Sequence, residues 1–394
     1  MPEAVPSTPP AGTTSRPSAP PNHFASIDAL RGLAITGVVA AHAGHGFTSV
    51  PALADALGKL GSSGVQLFFV LSAFTLMNSW AGRHDGAARF YLRRLFRIAP
   101  MFWLATALYF LLDRWLVTPF WLGGVVDRRS LLLTFLFGHG WSPEAINAIV
   151  PGGWSIAVEM NFYLLFPLLA AVATSRARAA LMLAASLLLA IFANEAVLPV
   201  PAKQIADDFV YYWLPNSLPA FMTGLLAFHL RDLAPRRWPA ALALVLLAAG
   251  LAVVNARGTL PWTASLDQPI SRGTAIAIAG LALILALHRL PAGCWLSRLL
   301  VNPAMVRLGQ ISFSVYLLHF LVIEALRRTL GPLTLPTRFA DLFWLASLPA
   351  WIIAAALPAA LTYRWIEQPC IRAGARWLRR HAAGSSGHAG TGAA

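Results

Sequence analysis

The sequence predicts an all-α membrane protein, a polytopic bundle of about ten transmembrane helices with both termini in the cytoplasm. Of its 394 residues, 57% are hydrophobic and only 12% are charged, and the mean hydropathy is +0.63. An ordinary soluble domain carries about 25% charged residues. Apolar stretches long enough to cross about 30 Å of hydrocarbon recur along the chain, with arginines collected between them. These observations exclude a water-soluble domain.

Ten apolar stretches are each interpreted as one spanning helix. They lie at 27–47, 63–81, 98–116, 154–173, 179–198, 213–230, 238–255, 272–288, 306–326 and 343–364. The run at 131–141 is too short to span on its own, so we expect a re-entrant or surface helix there.

The basic residues orient the bundle, because cytoplasmic loops of membrane proteins carry an excess of Lys and Arg. Arginines follow the second, fourth, sixth and eighth spans, whereas the intervening loops carry acids or little net charge. One loop departs from this alternation, since Arg327, Arg328 and Arg338 fall on the predicted outer side. The remaining loops place both termini in the cytoplasm.

The chain is predicted to hold one membrane unit, residues 25–373, between two disordered cytoplasmic tails. The tail at 1–24 is rich in Pro, Ser, Thr and Ala and lacks the apolar core of a signal peptide, while 374–394 is basic and then rich in Gly, Ala and Ser. Cys294 and Cys370 have no metal-ligand partner nearby in sequence, which predicts no disulfide framework and no metal site. The net charge of +14 is spread over short loops, so the predicted partner is the lipid bilayer and not nucleic acid.

The first span carries Arg31 and His42 within IDALRGLAITGVVAAHA. Eleven helical steps return the two side chains to nearly one face, roughly 16 Å apart along the axis. An ionisable residue at lipid depth costs a few kcal/mol at least, so it indicates a functional site. A neutral imidazole there can act as a general base toward a hydroxyl group. The alternative is a histidine that simply hydrogen-bonds a neighbouring helix.

A second candidate lies in YLRRLFRIAP, where Arg94 and Arg97 share one helical face at the cytoplasmic end of the third span. The planar donors of paired guanidinium groups match phosphate oxygens. A phosphorylated donor arriving from the cytoplasm would meet them. Membrane topology and anionic lipid also explain basic residues at such a position.

The fourth span places Glu159 about two helical turns from its outer end. A carboxylate at that depth needs a partner, and we expect it either to orient His42 or to hydrogen-bond an acceptor sugar. Trp154 and Tyr163 would stack on a ligand or, the favoured interpretation, belong to an aromatic belt.

The ninth span carries His319 at depth, together with polar residues that often only link helices. These residues are Ser312, Ser314, Tyr316 and Glu324. The last span ends in TYRWIEQP, whose Tyr363, Arg364 and Glu367 are predicted to form an interfacial anchor.

These segments, in this order, resemble the acyltransferase 3 family of bacterial membrane O-acyltransferases from residue 26 to about 373. The motifs are IDALRGLAITGVVAAHA, FFVLSAFTL, RLFR, WSIAVEMNFYLLFPLL, GQISFSVYLLHF and YRWIEQP. The resemblance implies transfer of an acyl group, usually acetyl from acetyl-CoA, to a hydroxyl group of a glycan or small molecule. Acyl-CoA would be a co-substrate, with no tightly bound cofactor.

The resemblance also implies roles for individual residues. His42 and Glu159 would be catalytic, and Arg31, Arg94 and Arg97 would hold the phosphates of CoA. The residues expected to line the site are Trp154, Ser155, Tyr163, Tyr316 and His319.

Further expectations concern the location and the acceptor. The resemblance implies a multi-pass protein of the bacterial inner membrane, with no hydrolase-like domain after the tenth span. The expected acceptor is a glycan or lipid-linked glycan, such as O-antigen or exopolysaccharide. The alternatives are a macrolide-like small molecule and, in another class, a proton-coupled transporter that uses the intramembrane His and Glu.

Overall fold

The computed structural model describes residues 23–47, 52–83, 86–115, 126–197, 209–257, 268–291, 293–334 and 339–386. Within them the regular structure is helical, and a single β-bridge joins Phe47 to Leu333. This confirms the predicted all-helical class. Of the predicted tail at 1–24, residues 1–22 lie outside the described ranges and His23 and Phe24 begin the first helix, while the last residues, 387–394, also lie outside.

The described residues form fifteen α-helices, numbered in chain order. They are α1 His23–Ala43, α2 Ala52–Ser62, α3 Gly64–Ala81, α4 Gly86–Trp115, α5 Arg128–Phe135, α6 Trp154–Val172, α7 Arg176–Val197, α8 Leu214–Leu230, α9 Trp238–Arg257, α10 Gln268–His288, α11 Trp295–Leu300, α12 Pro303–Gln310, α13 Ser312–Leu330, α14 Ala340–Thr362 and α15 Gln368–Ser386. A π-helical turn, Tyr363–Glu367, joins the last two.

Each predicted span overlaps a helix, and five of the described helical stretches are long and apolar enough to cross a membrane by themselves. These are Gly64–Ala81, Gly86–Trp115, Trp154–Val172, Arg176–Asn194 and Ala340–His381. The bent pair α12 and α13 brings the number to six if it is one span. An apolar helical bundle is therefore established, while the count of ten spans and the orientation of the termini stay predictions.

The ninth predicted span, 306–326, is wrong at its beginning, because the chain bends by 80° between α12 and α13. A Cβ at Gly309 would lie 1.7 Å from the carbonyl oxygen of Asp28, and one at Gly32 would lie 2.1 Å from that of Met305. These glycines let α12 rest directly on the backbone of α1. The bend follows from this tertiary contact.

Helices α1 and α13 run side by side in the same direction. Gly309, just before α13, touches Asp28 near the start of α1, and His319 meets His42 near its end. Arg31, near the start of α1, and His42, near its end, therefore both lie on the helix that packs along α13.

The segment around 131–141 does not span alone, in agreement with its short length. It forms α5 and a 3₁₀ turn, Gly138–Trp141. Asp127 caps α5 by accepting a hydrogen bond from the backbone N–H of Ser130 at 2.7 Å, which lowers the pKa of the Asp127 carboxyl. His139 is buried against Phe102, and its Nε2 lies 3.1 Å from the carbonyl oxygen of Gly153. This contact fixes the chain where α6 begins.

Within the segment 374–394, predicted as a disordered tail, the structure places 374–386 in α15. A Cβ at Gly374 would lie 2.7 Å from the ring of Phe96 on α4, and Arg372 donates a hydrogen bond to Gln368 one turn earlier. A basic sequence thus forms an amphipathic helix because α4 supplies a surface for its apolar face.

Candidate active site

Five helices, α1, α3, α4, α6 and α13, border an open cleft with a free volume of about 90 Å³. Most of the predicted site residues contribute to its lining. They are Arg31, Arg94, Arg97, Ser155, Glu159, Tyr163 and Tyr316. Residues distant in the sequence are therefore gathered at one place, which we call the arginine cleft.

The arginines give this cleft an excess of positive charge. Arg31 forms a long ion pair with Asp28 at 3.5 Å and lies 3.5 Å from the hydroxyl of Thr75. The guanidinium of Arg94 lies 5.9 Å from the centre of the Tyr163 ring, and its buried Nε has no hydrogen-bond partner among the described residues. Among the described lining residues, three guanidinium groups face the one carboxylate of Glu159, so the lining suits an anion, although Asp28 behind Arg31 offsets part of this charge.

Glu159 is held by two hydroxyl groups within the same cleft. Its Oε1 accepts a hydrogen bond from Ser72 at 2.6 Å and a second from Tyr163, one turn further along α6. The hydrogen bonds described for Glu159 include none to His42. Of its two predicted partners, the histidine is thus replaced by hydroxyl donors from α3 and α6.

His42 pairs instead with His319, which is fully buried. Nδ1 of His42 lies 2.9 Å from the carbonyl oxygen of Val38 and 3.2 Å from Nε2 of His319. Nδ1 of His319 lies 2.7 Å from the carbonyl oxygen of Tyr316. The ring of Phe320 covers both imidazoles, at 4.3 and 4.4 Å between centroids.

These contacts assign the ring protons. Carbonyl oxygens only accept hydrogen bonds, so Nδ1 carries the proton in both His42 and His319. Nε2 of His319 then accepts from Nδ1–H of His42, which the carbonyl of Val38 shares. Nε2 of His42 is left with its lone pair available, which is the form of imidazole that can remove a proton.

Tyr316 connects the histidine pair to the arginine cleft. Its side chain lines the cleft, and its hydroxyl donates to the carbonyl oxygen of Gly152 and accepts from Ser155, both at 2.9 Å. Its own carbonyl oxygen accepts from His319. Gly152 has a φ of +76°, and a Cβ there would lie 2.8 Å from the Tyr316 hydroxyl, so only glycine fits.

Trp154 lies behind the cleft and not on its lining. The buried indole packs against Tyr212 and Phe69, with ring centroids 4.8 and 6.2 Å away. Its aromatic partners lie on helical segments that surround the beginning of α6. Its position in the structure is that of a packing residue beside the site.

The sequence interpretation missed the position of Glu367. Predicted as part of an interfacial anchor, its side chain is 1% exposed, and its Oε2 accepts a hydrogen bond from Ser314 at 3.0 Å. Arg97 and Arg31 lie within electrostatic reach of this carboxylate. The rule applied to Glu159, that an acid within an apolar stretch needs a partner, would have identified it.

Glu324, the other acid predicted at depth, is held in a surface ion-pair cluster. Its carboxylate pairs with Arg327 and Arg328, each at 2.6 Å. The cluster lies beyond His319 on α13, outside the arginine cleft.

Comparison with known proteins identifies the family of this chain. Residues 24–363 match the model of the acyltransferase 3 family, which is described as an acyltransferase domain. The chain is 28% identical to acyltransferase MdmB of Streptomyces mycarofaciens over 88% of this chain and 91% of that protein. It is 28% identical to the exopolysaccharide production protein ExoZ of Rhizobium meliloti, over 84% and 95%.

A third relative is the peptidoglycan O-acetyltransferase OatA of Listeria monocytogenes, 25% identical over 87% of this chain and 55% of that protein. No solved structure matches the chain.

Proposed function

Because this chain belongs to the acyltransferase 3 family and is an O-acyltransferase, we propose that it transfers an acyl group from cytoplasmic acyl-CoA to a hydroxyl of a cell-envelope glycan. The acyl group proposed first is acetyl, and the proposed location is the bacterial inner membrane. One observation carries the proposal. Tyr316 lines the arginine cleft, and its carbonyl oxygen holds His319, the partner of His42, about one helical turn further along α13.

The donor would bind by its phosphates. Arg31, Arg94 and Arg97 line one cleft, and their donors suit the phosphates of CoA. From Ser312, at the level of these arginines, to His319 the helix rises by about 10 Å. The thioester arm of CoA would follow this path, so that its carbonyl reaches His42.

His42 would act as the general base. Its Nε2 takes the proton of the acceptor hydroxyl while the hydroxyl oxygen bonds to the thioester carbonyl carbon. The carbon–sulfur bond breaks, and the thiolate of CoA takes the proton back from the imidazolium. The products are an O-acyl ester and free CoA, and the histidine returns to its starting form.

His319 would keep His42 in the reactive tautomer. Its Nε2 accepts from Nδ1–H of His42 in the resting state and in the imidazolium alike. This is the role that a carboxylate has in triads of this kind. Glu159 would have a different role, balancing the guanidinium charges and fixing Tyr163 within the cleft.

A covalent acyl-histidine intermediate is the competing route. In it, Nε2 of His42 attacks the thioester itself, releases CoA and passes the acyl group to the acceptor. Both routes require His42.

The acceptor is proposed from the names of relatives. ExoZ is named for exopolysaccharide production and OatA for peptidoglycan O-acetylation, which favours a glycan such as O-antigen or exopolysaccharide. A small-molecule acceptor is the second candidate, because acyltransferase MdmB matches almost end to end and its name specifies no glycan. Because the chain belongs to an acyltransferase family, we do not propose the alternative of a proton-coupled transporter.

The test uses purified protein in nanodiscs with labelled acetyl-CoA and a panel of envelope glycans and small-molecule alcohols. We expect wild type to release CoA and label an acceptor, and His42→Ala to lose about 10²- to 10⁴-fold in rate. His45→Ala is the matched control, since this exposed histidine lies 6.1 Å from the His42 ring and makes no described contact with His319. Folded protein that turns over no acyl-CoA, or a His42→Ala variant with full activity, contradicts the proposal.

A further inference from the structure

Tyr109 lies on α4, and its buried side chain reaches the backbone of α13. The hydroxyl donates a hydrogen bond to the carbonyl oxygen of Leu317 at 3.0 Å and accepts one from the backbone N–H of Leu321 at 3.1 Å. In a regular α-helix these two backbone groups pair with each other, because they are four residues apart. One buried hydroxyl therefore contacts both members of a single pair in the backbone of α13.

The turn of α13 that Tyr109 contacts is the turn beside His42. His319 and Phe320 lie between the two residues that receive the Tyr109 hydroxyl. Their ring centroids lie 5.1 and 4.3 Å from that of the His42 imidazole. Because the backbone of this turn carries both rings, its position determines how they meet His42.

The contact made by Tyr109 suits a positioning role. Both partners of its hydroxyl are main-chain groups, which cannot rotate away as side chains can. The contact is also buried, so polar groups that lost it would not be compensated by water. The same helix, α4, carries Arg94 and Arg97 of the arginine cleft. Tyr109 thus ties the turn that holds His319 to the helix that holds the donor arginines.

We infer that Tyr109 is a positioning residue for acyl transfer, whose hydroxyl holds the α13 turn so that His319 keeps His42 in the tautomer with a free Nε2. This inference rests on the proposed function and adds to it a residue that touches neither substrate. The effect of Tyr109 passes through the contact between His319 and His42. The alternative is that the Tyr109 ring only fills space between α4 and α13.

The first test is steady-state kinetics of Tyr109→Phe in nanodiscs. Phenylalanine fills the same space, but the turn of α13 loses its hydrogen bonds to α4. We expect kcat for acetyl transfer to fall about tenfold, by analogy with the outer-shell partners of metal-bound histidines. KM for acetyl-CoA should stay unchanged, because the arginine cleft keeps its lining. An unchanged kcat overturns the inference.

Tyr91→Phe is the matched control, since it makes the same change on the same helix. The Tyr91 hydroxyl donates to the carbonyl oxygen of Leu164 on α6 at 2.9 Å, at an exposed position. Tyr91 is not among the cleft-lining residues. We expect wild-type kcat and KM for this variant. An equal fall of kcat in the Tyr91→Phe and Tyr109→Phe variants contradicts a specific role of Tyr109.

A double variant tests whether Tyr109 acts through His319. Residues that act through one contact have effects that do not add, whereas independent residues have additive effects on the free energy. The kcat of the double variant Tyr109→Phe, His319→Leu should therefore equal that of His319→Leu alone. If the two losses of kcat multiply, Tyr109 acts independently of His319 and the inference is wrong.

Replacement of Tyr109 by para-aminophenylalanine keeps a donor toward the carbonyl oxygen of Leu317 at the same place on the ring. Its amino nitrogen is a poorer acceptor for the N–H of Leu321. We expect kcat to lie between the values of Tyr109→Phe and wild type. This variant also serves if Tyr109→Phe does not fold, and a kcat equal to that of wild type then overturns the inference.

The final test needs no substrate, so it separates this inference from the proposed chemistry. The nitrogen NMR spectrum of the histidine rings reports the tautomer of His42 in the whole protein, with signals assigned from His42→Gln and His319→Gln. We expect Tyr109→Phe to move the His42 signals toward a mixture of tautomers and Tyr91→Phe to leave them unchanged. An unchanged His42 spectrum in Tyr109→Phe overturns the inference. If the spectrum changes as expected but wild type turns over no acyl-CoA, only the proposed chemistry is contradicted.

Discussion

The Nε2 atom of His319 lies 3.2 Å from Nδ1 of His42, across 277 residues of sequence. Together with the carbonyl oxygen of Val38, this contact determines which nitrogen of His42 is left to react. The residue that positions His42 therefore lies on α13, a helix that is not adjacent to α1 in the sequence.

The first prediction concerns this contact. His319→Leu removes one of the two acceptors for Nδ1–H of His42 and leaves only the carbonyl oxygen of Val38, so the ring is held less firmly and its imidazolium loses a partner. We expect kcat for acetyl transfer to fall about 10- to 100-fold, by analogy with the outer-shell partners of metal-bound histidines, with KM for acetyl-CoA unchanged. His319→Gln, whose amide oxygen can accept the same hydrogen bond, should restore part of kcat. Steady-state kinetics of both variants test this prediction. An equal loss of kcat in His319→Leu and His319→Gln would show that His319 has only a packing role.

The second prediction concerns the arginine cleft. Arg94→Lys keeps the charge but loses bidentate donors, each worth roughly 1.5–3 kcal/mol to a charged partner. We expect KM for acetyl-CoA to rise about tenfold or more. With acetyl-pantetheine, which has no phosphates, the variant should match wild type.

The control for this experiment is Arg93→Lys, since the neighbouring Arg93 is not among the cleft-lining residues. A similar rise in KM for acetyl-CoA in the Arg93→Lys and Arg94→Lys variants would show that Arg94 does not contact the phosphates of CoA. An equal rise in KM for acetyl-pantetheine in the Arg94→Lys variant would show the same.

The third prediction concerns the buried carboxylate of Glu367. It faces Arg97 and Arg31, so it offsets the positive charge that the donor phosphates would meet. Glu367→Gln keeps the shape and the hydrogen bond with Ser314, and we expect KM for acetyl-CoA to fall by about threefold, less than 1 kcal/mol. The readout is KM at low ionic strength, and the difference should shrink as salt is added. A higher KM would instead indicate that Glu367 orients the arginines.

The fourth prediction concerns the backbone contact between α1 and α12. Gly309→Ala would place a methyl group 1.7 Å from a carbonyl oxygen, and overpacking of this kind costs about 1–3 kcal/mol or more. We expect a lower midpoint of thermal unfolding in detergent.

Gly250→Ala is the matched control, because a Cβ at Gly250 meets nothing within 4 Å. Within helix α9 this change should stabilise by roughly 0.5–1 kcal/mol. If both variants have the same midpoint, the close approach of α1 and α12 is not tight.

Local periodicity explains the part of this site that the sequence predicted. Arg31 and His42 lie on one helix, and the pair Glu159 and Tyr163 lies on another, so their relative positions depend only on helical geometry. The family motifs then predicted that Arg94, Arg97 and Tyr316 belong with them.

The rest depends on tertiary packing that no local pattern records. The side-chain partner of His42, His319, comes from α13, and one of the two hydroxyl partners of Glu159, Ser72, comes from α3. The bend before α13 arises because Gly309 meets the backbone of Asp28. For the same reason the basic segment after 373, which has the composition of a disordered tail, becomes a helix on the surface of α4.

The last helical stretch, Ala340–His381, runs for 42 residues. At 1.5 Å per residue it is about 63 Å long, roughly twice the thickness of the hydrocarbon core. It is too long to lie within the hydrocarbon core along its whole length, and its part after Glu367 packs on α4 through Gly374 and Phe96. One continuous helical stretch therefore carries an apolar segment, the carboxylate buried beside the arginine cleft and an arginine-rich end.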